Sequence, residues 1–249
     1  MKGIVEYLRE ASNSDGFKEV FKNGKQKLTE KILIEDLPII EKVQDLFERD
    51  KLYKISASKK YAKKISLEEA YWIIKKWGGI KSFKESLQND AKISGFIDKL
   101  KSNRVENLTE SEFSTISSLS KLAFFFDTEE FAIYDSRVIY SLNWAIFKTG
   151  EPTIKYFPMP TGRNNIIVNY PMEAVIKFSL LQHGVTEFDV HYFSKDEAYF
   201  QYINLINKFS KALYCDDAKP FYAEMLLFGM ADKYVFEDMK RSLRLSIKE

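Results

Sequence analysis

The stretch that decides the fold runs from Ser117 to Val138 and reads SSLSKLAFFFDTEEFAIYDSRV. Its first half continues a run whose apolar residues recur every three to four positions, which is typical of a buried helix. An acidic turn and a short apolar segment follow, and Asp135 then opens a second apolar run. The pattern predicts two buried helices joined by a short apolar connection.

The sequence outside this stretch also has mostly helical patterns. Helices are predicted over 67–77, 110–126, 136–148, 172–182, 195–213, 219–229 and 233–246. β-Branched residues gather at 31–34 and 165–169, where short strands are expected at most. The predicted fold class is therefore mainly all-α, a globular helical array. It forms either a single unit over 1–249 or two packed helical lobes, about 1–105 and 106–249.

Composition excludes several classes of protein. Hydrophobic residues make up 45% of the chain, which is enough for a packed core and excludes disorder and collagen-like repeats. The single cysteine, Cys215, excludes an internal disulfide and a four-thiolate iron–sulfur cluster. With only two histidines, His183 and His191, a zinc site is not expected either. We therefore expect chemistry without a metal or another cofactor.

Charge and hydropathy limit the partners and the location of the protein. The net charge of +2 is compatible with nucleic acid but does not demand it. No apolar run reaches the length of a membrane span, and the start is charged again at Glu6. We expect a cytoplasmic protein with no membrane association and no obligate protein partner.

Asp135 is the strongest candidate in this stretch for a chemical role. Asp-Ser-Arg-Val before an apolar helix is an N-cap pattern, and such a cap contributes about 1 kcal/mol to stability. The positive end of the helix also keeps a carboxylate ionised. An ionised, rigidly held carboxylate is useful wherever positive charge develops on a substrate. A purely structural cap and a catalytic acid are both consistent with the residues alone.

The same stretch resembles the helix-hairpin-helix DNA glycosylase superfamily. In that superfamily an apolar residue precedes a catalytic Asp, followed by Ser or Thr, a polar residue and Val; Tyr134 to Val138 fits this order. The run Ser-Lys-Leu…Phe-x-Ile-Tyr-Asp-Ser-Arg-Val is similar in particular to a divergent bacterial branch with an 8-oxoguanine-glycosylase-like fold. Residues 223–230 resemble the closing helix of such proteins.

The resemblance implies a monofunctional glycosylase that needs no cofactor and hydrolyses the bond between a flipped base and its sugar in DNA. Asp135 would be the catalytic residue. The residues expected to contact DNA or the substrate are Ser117, Ser118, Ser120, Lys121, Tyr134, Arg137 and Arg163. Arg163 lies in 150–170, which is long for a connector and is predicted to be a binding loop. Arg137 would steer a phosphate or pair with Asp135, and a plain surface role is equally open.

Two departures from the superfamily pattern shape these expectations. The hairpin that normally carries glycines corresponds to 107–115, which has none. Ser117, Ser118 and Ser120 either replace it as phosphate donors or are ordinary surface or packing positions. Bifunctional members carry a Schiff-base lysine at the position of Ile116, and the nearest lysine is Lys121. Five helical residues turn about 140° net and rise about 7.5 Å, so Lys121 is predicted to point away from Asp135.

The sequence does not identify the base that is excised. The resemblance allows hypermodified cytosine of phage DNA, removed in antiviral defence, or oxidised and alkylated purines removed in repair. A catalytically inactive helical DNA-binding module is the rival from another class. A helical adaptor whose Asp135 is only a cap is a third reading.

Overall fold

The computed structural model describes residues 1–14, 17, 21, 40–102, 107–151, 153–162, 169–182, 184 and 190–242. Within these residues the protein is mainly helical, which confirms the predicted all-α class. Their one pairing of extended segments is an isolated parallel bridge between Tyr156 and Tyr192. The strands predicted at 31–34 and over most of 165–169 lie outside the described residues, as does Arg163.

The helices of the described part follow one another along the chain. They are α1 (Lys2–Ser12), α2 (Leu46–Lys59), α3 (Leu67–Trp72), α4 (Leu87–Lys101), α5 (Glu110–Phe113), α6 (Ile116–Phe126), α7 (Ser136–Thr149), α8 (Met172–Gln182), α9 (Ala198–Leu213), α10 (Pro220–Met230) and α11 (Phe236–Ser242). A π-helical turn, Ile73–Trp77, continues α3, and a second, Ala231–Val235, joins α10 to α11.

The helix predicted over 110–126 is divided in the structure. Thr109 caps α5 and forms a capping box with Glu112, and the chain then turns at Ser114 and Thr115 before α6 begins. The apolar spacing continues across this turn, so periodicity alone could not locate the break. Helices α1, α2 and α4 were not predicted, although the apolar stripe of α1 (Ile4, Tyr7, Leu8 and Ala11) is readable in the sequence.

Helix α7 lies in the centre of the core. Its residues from Val138 to Ile146 are all buried. It contacts α1, α8, α10 and the π turn Ala231–Val235, while α6 packs against α2, α4 and the π turn Ile73–Trp77. The connection between α6 and α7 therefore links these two groups of helices. A division into two lobes stays a prediction.

A buried amide fixes the segment that follows α7. Asn143 donates from Nδ2 to the carbonyl of Phe157 and accepts with Oδ1 from the Phe157 backbone N–H, both at 2.8 Å. Gly150 ends α7 in the left-handed conformation, with φ of 59°, which glycine adopts without a steric penalty. The chain can therefore turn back along α7 with its buried backbone groups paired.

None of the described helices combines the length and the apolar character that crossing a bilayer requires.

Candidate active site

The apolar connection Phe131–Tyr134 between α6 and α7 is buried and non-helical, so its backbone groups need partners from elsewhere. Two tyrosines of α9 supply them. Tyr199 donates its hydroxyl to the carbonyl of Ala132 at 3.0 Å, and Tyr202 donates to the carbonyl of Ile133 at 2.8 Å. Both tyrosines are fully buried. They hold the backbone immediately before Asp135.

Ser120 and Tyr134 complete this support and are not available to DNA. The Tyr134 backbone N–H donates to Ser120 Oγ at 3.0 Å, and the Tyr134 hydroxyl donates to the carbonyl of Pro158 at 2.8 Å. Both side chains are fully buried. The prediction that they contact DNA or substrate is therefore wrong for these two residues, because their polar atoms are used inside the protein.

Asp135 is held at the N-terminus of α7 by a hydrogen bond to one of its carboxylate oxygens. Its Oδ1 accepts a hydrogen bond from the Arg137 backbone N–H at 2.9 Å. Its side chain is 26% exposed, and Oδ2 lies 4.0 Å from Lys121 Nζ. The cap fixes the orientation of the carboxylate, while part of the group remains accessible from outside.

Asp135 lines a central cleft of about 720 Å³, a volume within the range of small-molecule sites. The cleft lies between α2, the π turn Ile73–Trp77 with the loop after it, and the starts of α6 and α7 with α10. Trp77, Phe83 and Phe228 provide apolar walls. Trp77 is backed by a parallel ring contact with Phe124 at 6.1 Å between centroids.

Lys121 lies beside Asp135 in this cleft, so the prediction that it points away is wrong. Its ammonium also donates to the carbonyl of Ser117 at 2.6 Å, and the side chain is 8% exposed. The helical rotation between 116 and 121 fixes the direction of Lys121 relative to Ile116 but does not locate Asp135. The connection after α6 folds back and brings the start of α7 to this side of α6.

Gly78 gives the Lys121 side chain its space. A Cβ at Gly78 would lie 2.6 Å from Lys121 Cδ and 2.8 Å from the Ile74 carbonyl oxygen. Any larger residue would therefore displace the lysine or the π turn. The glycine that ends the helix predicted over 67–77 thus also shapes the cleft.

Arg137 does not pair with Asp135 through its side chain. Its Nη2 lies 3.1 Å from Asp232 Oδ2, and its guanidinium lies over the ring of Phe228 at 5.0 Å from the centroid. The residue lines the cleft and is half-buried. Of the roles expected for it, side-chain pairing with Asp135 is excluded, while contact with a ligand phosphate and a plain surface role stay predictions.

The remaining predicted serines lie at the start of α6. Ser117 and Ser118 line the cleft together with Ser114 and Thr115. The Ser117 hydroxyl oxygen is buried and has no hydrogen-bond partner among the described residues. Thr115 at the N-cap position makes no side-chain cap bond to this helix. The positive end of α6 therefore borders the cleft, whereas the Ser114 and Thr115 hydroxyls donate to the carbonyls of residues 111 and 112.

Three charged residues of the cleft were missed by the sequence analysis. Glu224 of α10 is only 2% exposed, and its Oε2 lies 3.6 Å from Lys54 Nζ. Asp50, one helical turn before Lys54 on α2, lies 4.0 Å from the same ammonium. The sequence does contain a signal for each of them. Glu224 is a lone acid within the apolar run of 220–230, and Asp50 and Lys54 form an acid–lysine pair with i, i+4 spacing.

Burial dominates the electrostatics of these acids. It raises the pKa of Glu224 to about 7, against the opposing effect of Lys54 and with a further raising effect from Asp135. Burial also raises the pKa of Asp50, while Lys54 acts in the opposite direction. The described residues include no group of three or more His, Cys, Asp or Glu side chains able to hold a metal ion.

No protein-family model, no curated protein and no solved structure matches this chain. The geometry of the cleft and the Asp135 motif are therefore the features of this chain that bear on its function.

The support of the connection can be tested with Tyr202→Phe. The change leaves the Ile133 carbonyl buried without its partner, so we expect the free energy of unfolding to fall by about 1–3 kcal/mol. Hydrogen exchange at the Arg137 amide should accelerate by more than the lower global stability alone would cause. Tyr71→Phe, which removes a hydroxyl bonded to Asp90 elsewhere, should leave Arg137 unaffected. Equal exchange in both variants would contradict a positioning role for Tyr202.

The burial of Glu224 predicts a pH dependence of stability. Because its pKa is about 7 in the folded state and near 4.5 when exposed, the unfolded chain loses this proton first as pH rises. Wild-type stability should therefore fall between about pH 4.5 and 7, by up to about 3 kcal/mol. Glu224→Gln should flatten this part of the profile in urea unfolding at several pH values. An unchanged profile would show that Glu224 is not a buried titrating group.

Proposed function

We propose that this protein is a DNA glycosylase that hydrolyses the N-glycosidic bond of a nucleotide flipped out of the duplex. The observation that carries the proposal is the accessible carboxylate of Asp135, held by a helix cap at the wall of an aromatic-lined cleft. It agrees with the resemblance, which assigns catalysis to the same residue. The Asp135 carboxylate is partly accessible, and a purely structural cap does not need to be accessible.

The cleft suits an extruded nucleoside. A base inside a duplex does not expose its C1′, so the nucleotide must leave the stack before the bond can be cleaved. The volume of about 720 Å³ leaves room for a nucleoside and for a substituent on its base. Trp77, Phe83 and Phe228 supply flat apolar surface against which a base can stack.

The chemical step places positive charge next to Asp135. The C1′–N bond breaks with its electron pair going to the base, and the sugar gains oxocarbenium character. The Asp135 carboxylate stabilises that charge and accepts a proton from the attacking water, whose oxygen bonds to C1′. The departing base takes up a proton from solvent, and Asp135 releases the proton that it accepted, so that one water is consumed and the carboxylate is restored. Because Oδ1 is held by the Arg137 N–H, Oδ2, which lies 4.0 Å from Lys121 Nζ, is the oxygen that would face the sugar and the water.

The start of α6 is the candidate contact for a flanking phosphate. Ser117 and Ser118 line the cleft close to the positive end of this helix, and Lys121 follows one turn later. A helix N-terminus with hydroxyls favours an anion, and here it replaces the glycine-bearing hairpin of the superfamily. Glu112, one of the acids of this region, is already used in the α5 capping box and pairs with Lys99.

The proposal is tested with Asp135→Asn. The amide keeps the size and the cap of the side chain but removes its charge. We expect release of the free base from modified DNA to fall at least about 100-fold, with the free energy of unfolding changed by less than about 1 kcal/mol. Base release is measured by mass spectrometry over a panel of modified and damaged DNAs, including phage DNA.

Asp45→Asn is the matched control. Asp45 caps α2 in the same way, accepting from the backbone N–H groups of Phe47 and Glu48, and it does not line the cleft. The control should keep full base release. If both variants lose activity and stability equally, Asp135 is a structural cap only. If the wild type releases no base from any DNA on the panel, the glycosylase proposal is wrong.

The proximity of Lys121 to Asp135 defines the competing chemistry that must be tested, that of a glycosylase with lyase activity. An uncharged lysine amine could attack C1′ in place of water, with its proton going to the neighbouring Asp135 carboxylate. The base leaves with the electron pair of the broken bond, and the opened sugar forms a Schiff base with Nζ. Elimination of the 3′ phosphate would then cut the strand.

Borohydride trapping separates the two chemistries. Water attack predicts no covalent protein–DNA product with borohydride, a free base and an intact strand carrying an abasic site. Attack by Lys121 predicts a stable adduct that is lost in Lys121→Gln but kept in Lys75→Gln, because Lys75 pairs with Glu85 and does not line the cleft. We expect no adduct, because the Lys121 ammonium is held by the Ser117 carbonyl and the Asp135 carboxylate. A Lys121-dependent adduct would replace hydrolysis with the lyase mechanism.

The base panel also decides between the biological substrates. Release of hypermodified cytosine would support antiviral defence, and release of oxidised or alkylated purines would support repair. Salt-sensitive duplex binding without any base release would indicate the inactive DNA-binding module. If the protein neither binds duplex DNA nor releases a base, the helical adaptor is the remaining interpretation.

A further inference from the structure

Glu224 presents an unused acceptor inside the central cleft. Its side chain is 2% exposed and lines the cleft, and Oε2 has no hydrogen-bond partner among the described residues. Lys54 Nζ lies 3.6 Å away, which is an ionic contact longer than a hydrogen bond. A buried carboxylate oxygen without a donor is costly, so its retention at a cleft wall points to a ligand that supplies one.

Lys54 presents the complementary donor. Its contacts with the described residues are the carboxylates of Glu224 at 3.6 Å and Asp50 at 4.0 Å and the Phe124 ring, whose centroid is 5.9 Å away. Lys54 and Asp50 line the same cleft as Glu224 and Asp135. An ammonium and a carboxylate oxygen therefore lie side by side on one wall, as a donor next to an acceptor.

We propose that Glu224 and Lys54 read the Watson–Crick edge of the flipped base and select bases with an amino group beside a bare ring nitrogen. Glu224 accepts a hydrogen bond from the amino group, and Lys54 donates one to the ring nitrogen. Cytosine and adenine have this edge. Uracil and hypoxanthine have an oxo group beside a ring N–H, which places an acceptor against Glu224 and a donor against Lys54. This inference rests on the proposed function for its substrate.

The chemistry of the pair supports this selection. A carboxylate is the acceptor that proteins use for the cytosine amino group, and a mismatched edge would leave both buried protein groups unpaired. The selection requires Glu224 in its ionised form, and its pKa of about 7 makes the preference increase above neutral pH. The charged and titratable groups around Glu224 are Lys54 and Asp50 of α2, Lys121 of α6, Asp135 at α7, and Tyr199 and Tyr202 of α9.

The test is calorimetric titration of the full chain at pH 8 with free nucleosides, which need neither DNA binding nor bond cleavage. Two matched pairs are used, 2′-deoxycytidine against 2′-deoxyuridine and 2′-deoxyadenosine against 2′-deoxyinosine. We expect the amino member of each pair to bind between about 5-fold and 150-fold more tightly. In Glu224→Gln the ratio should fall to near one, because the amide can turn its N–H₂ toward an oxo group.

Glu112→Gln is the matched control. Glu112 is also a buried glutamate, but it belongs to the α5 capping box and does not line the cleft, so the preference should persist. Equal affinity for both members of each pair, no binding of either, or a preference kept in Glu224→Gln would overturn the inference. If the protein prefers the amino nucleosides but releases no base from DNA, the glycosylase proposal is wrong and the recognition by Glu224 and Lys54 stands. Base release without nucleoside preference would refute only the role of Glu224 and Lys54.

Discussion

The buried hydroxyls that hold the connection between α6 and α7 are the constraint on which the site depends. A non-helical segment inside the core cannot satisfy its own backbone groups, so Ser120, Tyr199 and Tyr202 do so from neighbouring helices. The connection is thereby fixed relative to α6 and α9. Since α7 begins directly after it, Asp135 is placed at the cleft by the packing of the whole molecule.

The same cleft contains carboxylates whose burial opposes their ionisation. Asp50 and Glu224 are buried carboxylates, partly compensated by one ammonium, Lys54, and burial raises the pKa of both acids. Replacing buried ion pairs with well-packed apolar residues is often neutral or stabilising, and active sites commonly cost a protein some stability. Their position on the wall that Asp135 also lines connects these buried residues with the proposed recognition of the base.

Much of the site could be predicted from the sequence, and the errors have identifiable causes. Asp135 was located because an N-cap pattern is local, and the structure places it at the cleft. Lys121 was misplaced, because its distance from Asp135 depends on how the chain returns after α6. Tyr134 was wrongly taken for a contact residue, since local sequence does not show that Pro158 uses its hydroxyl. Glu224 was missed, because a single acid in an apolar helix has no local pattern that indicates a cleft.

The sequence by itself determined the helical class, most of the helices and the cap at Asp135, because periodicity and capping depend on residues a few positions apart. The tertiary structure alone decided that Asp135, Lys121, Lys54 and Glu224 share one cleft. These residues come from four different parts of the chain. Their proximity follows from long-range packing and from hydrogen bonds between distant residues, neither of which a local pattern encodes.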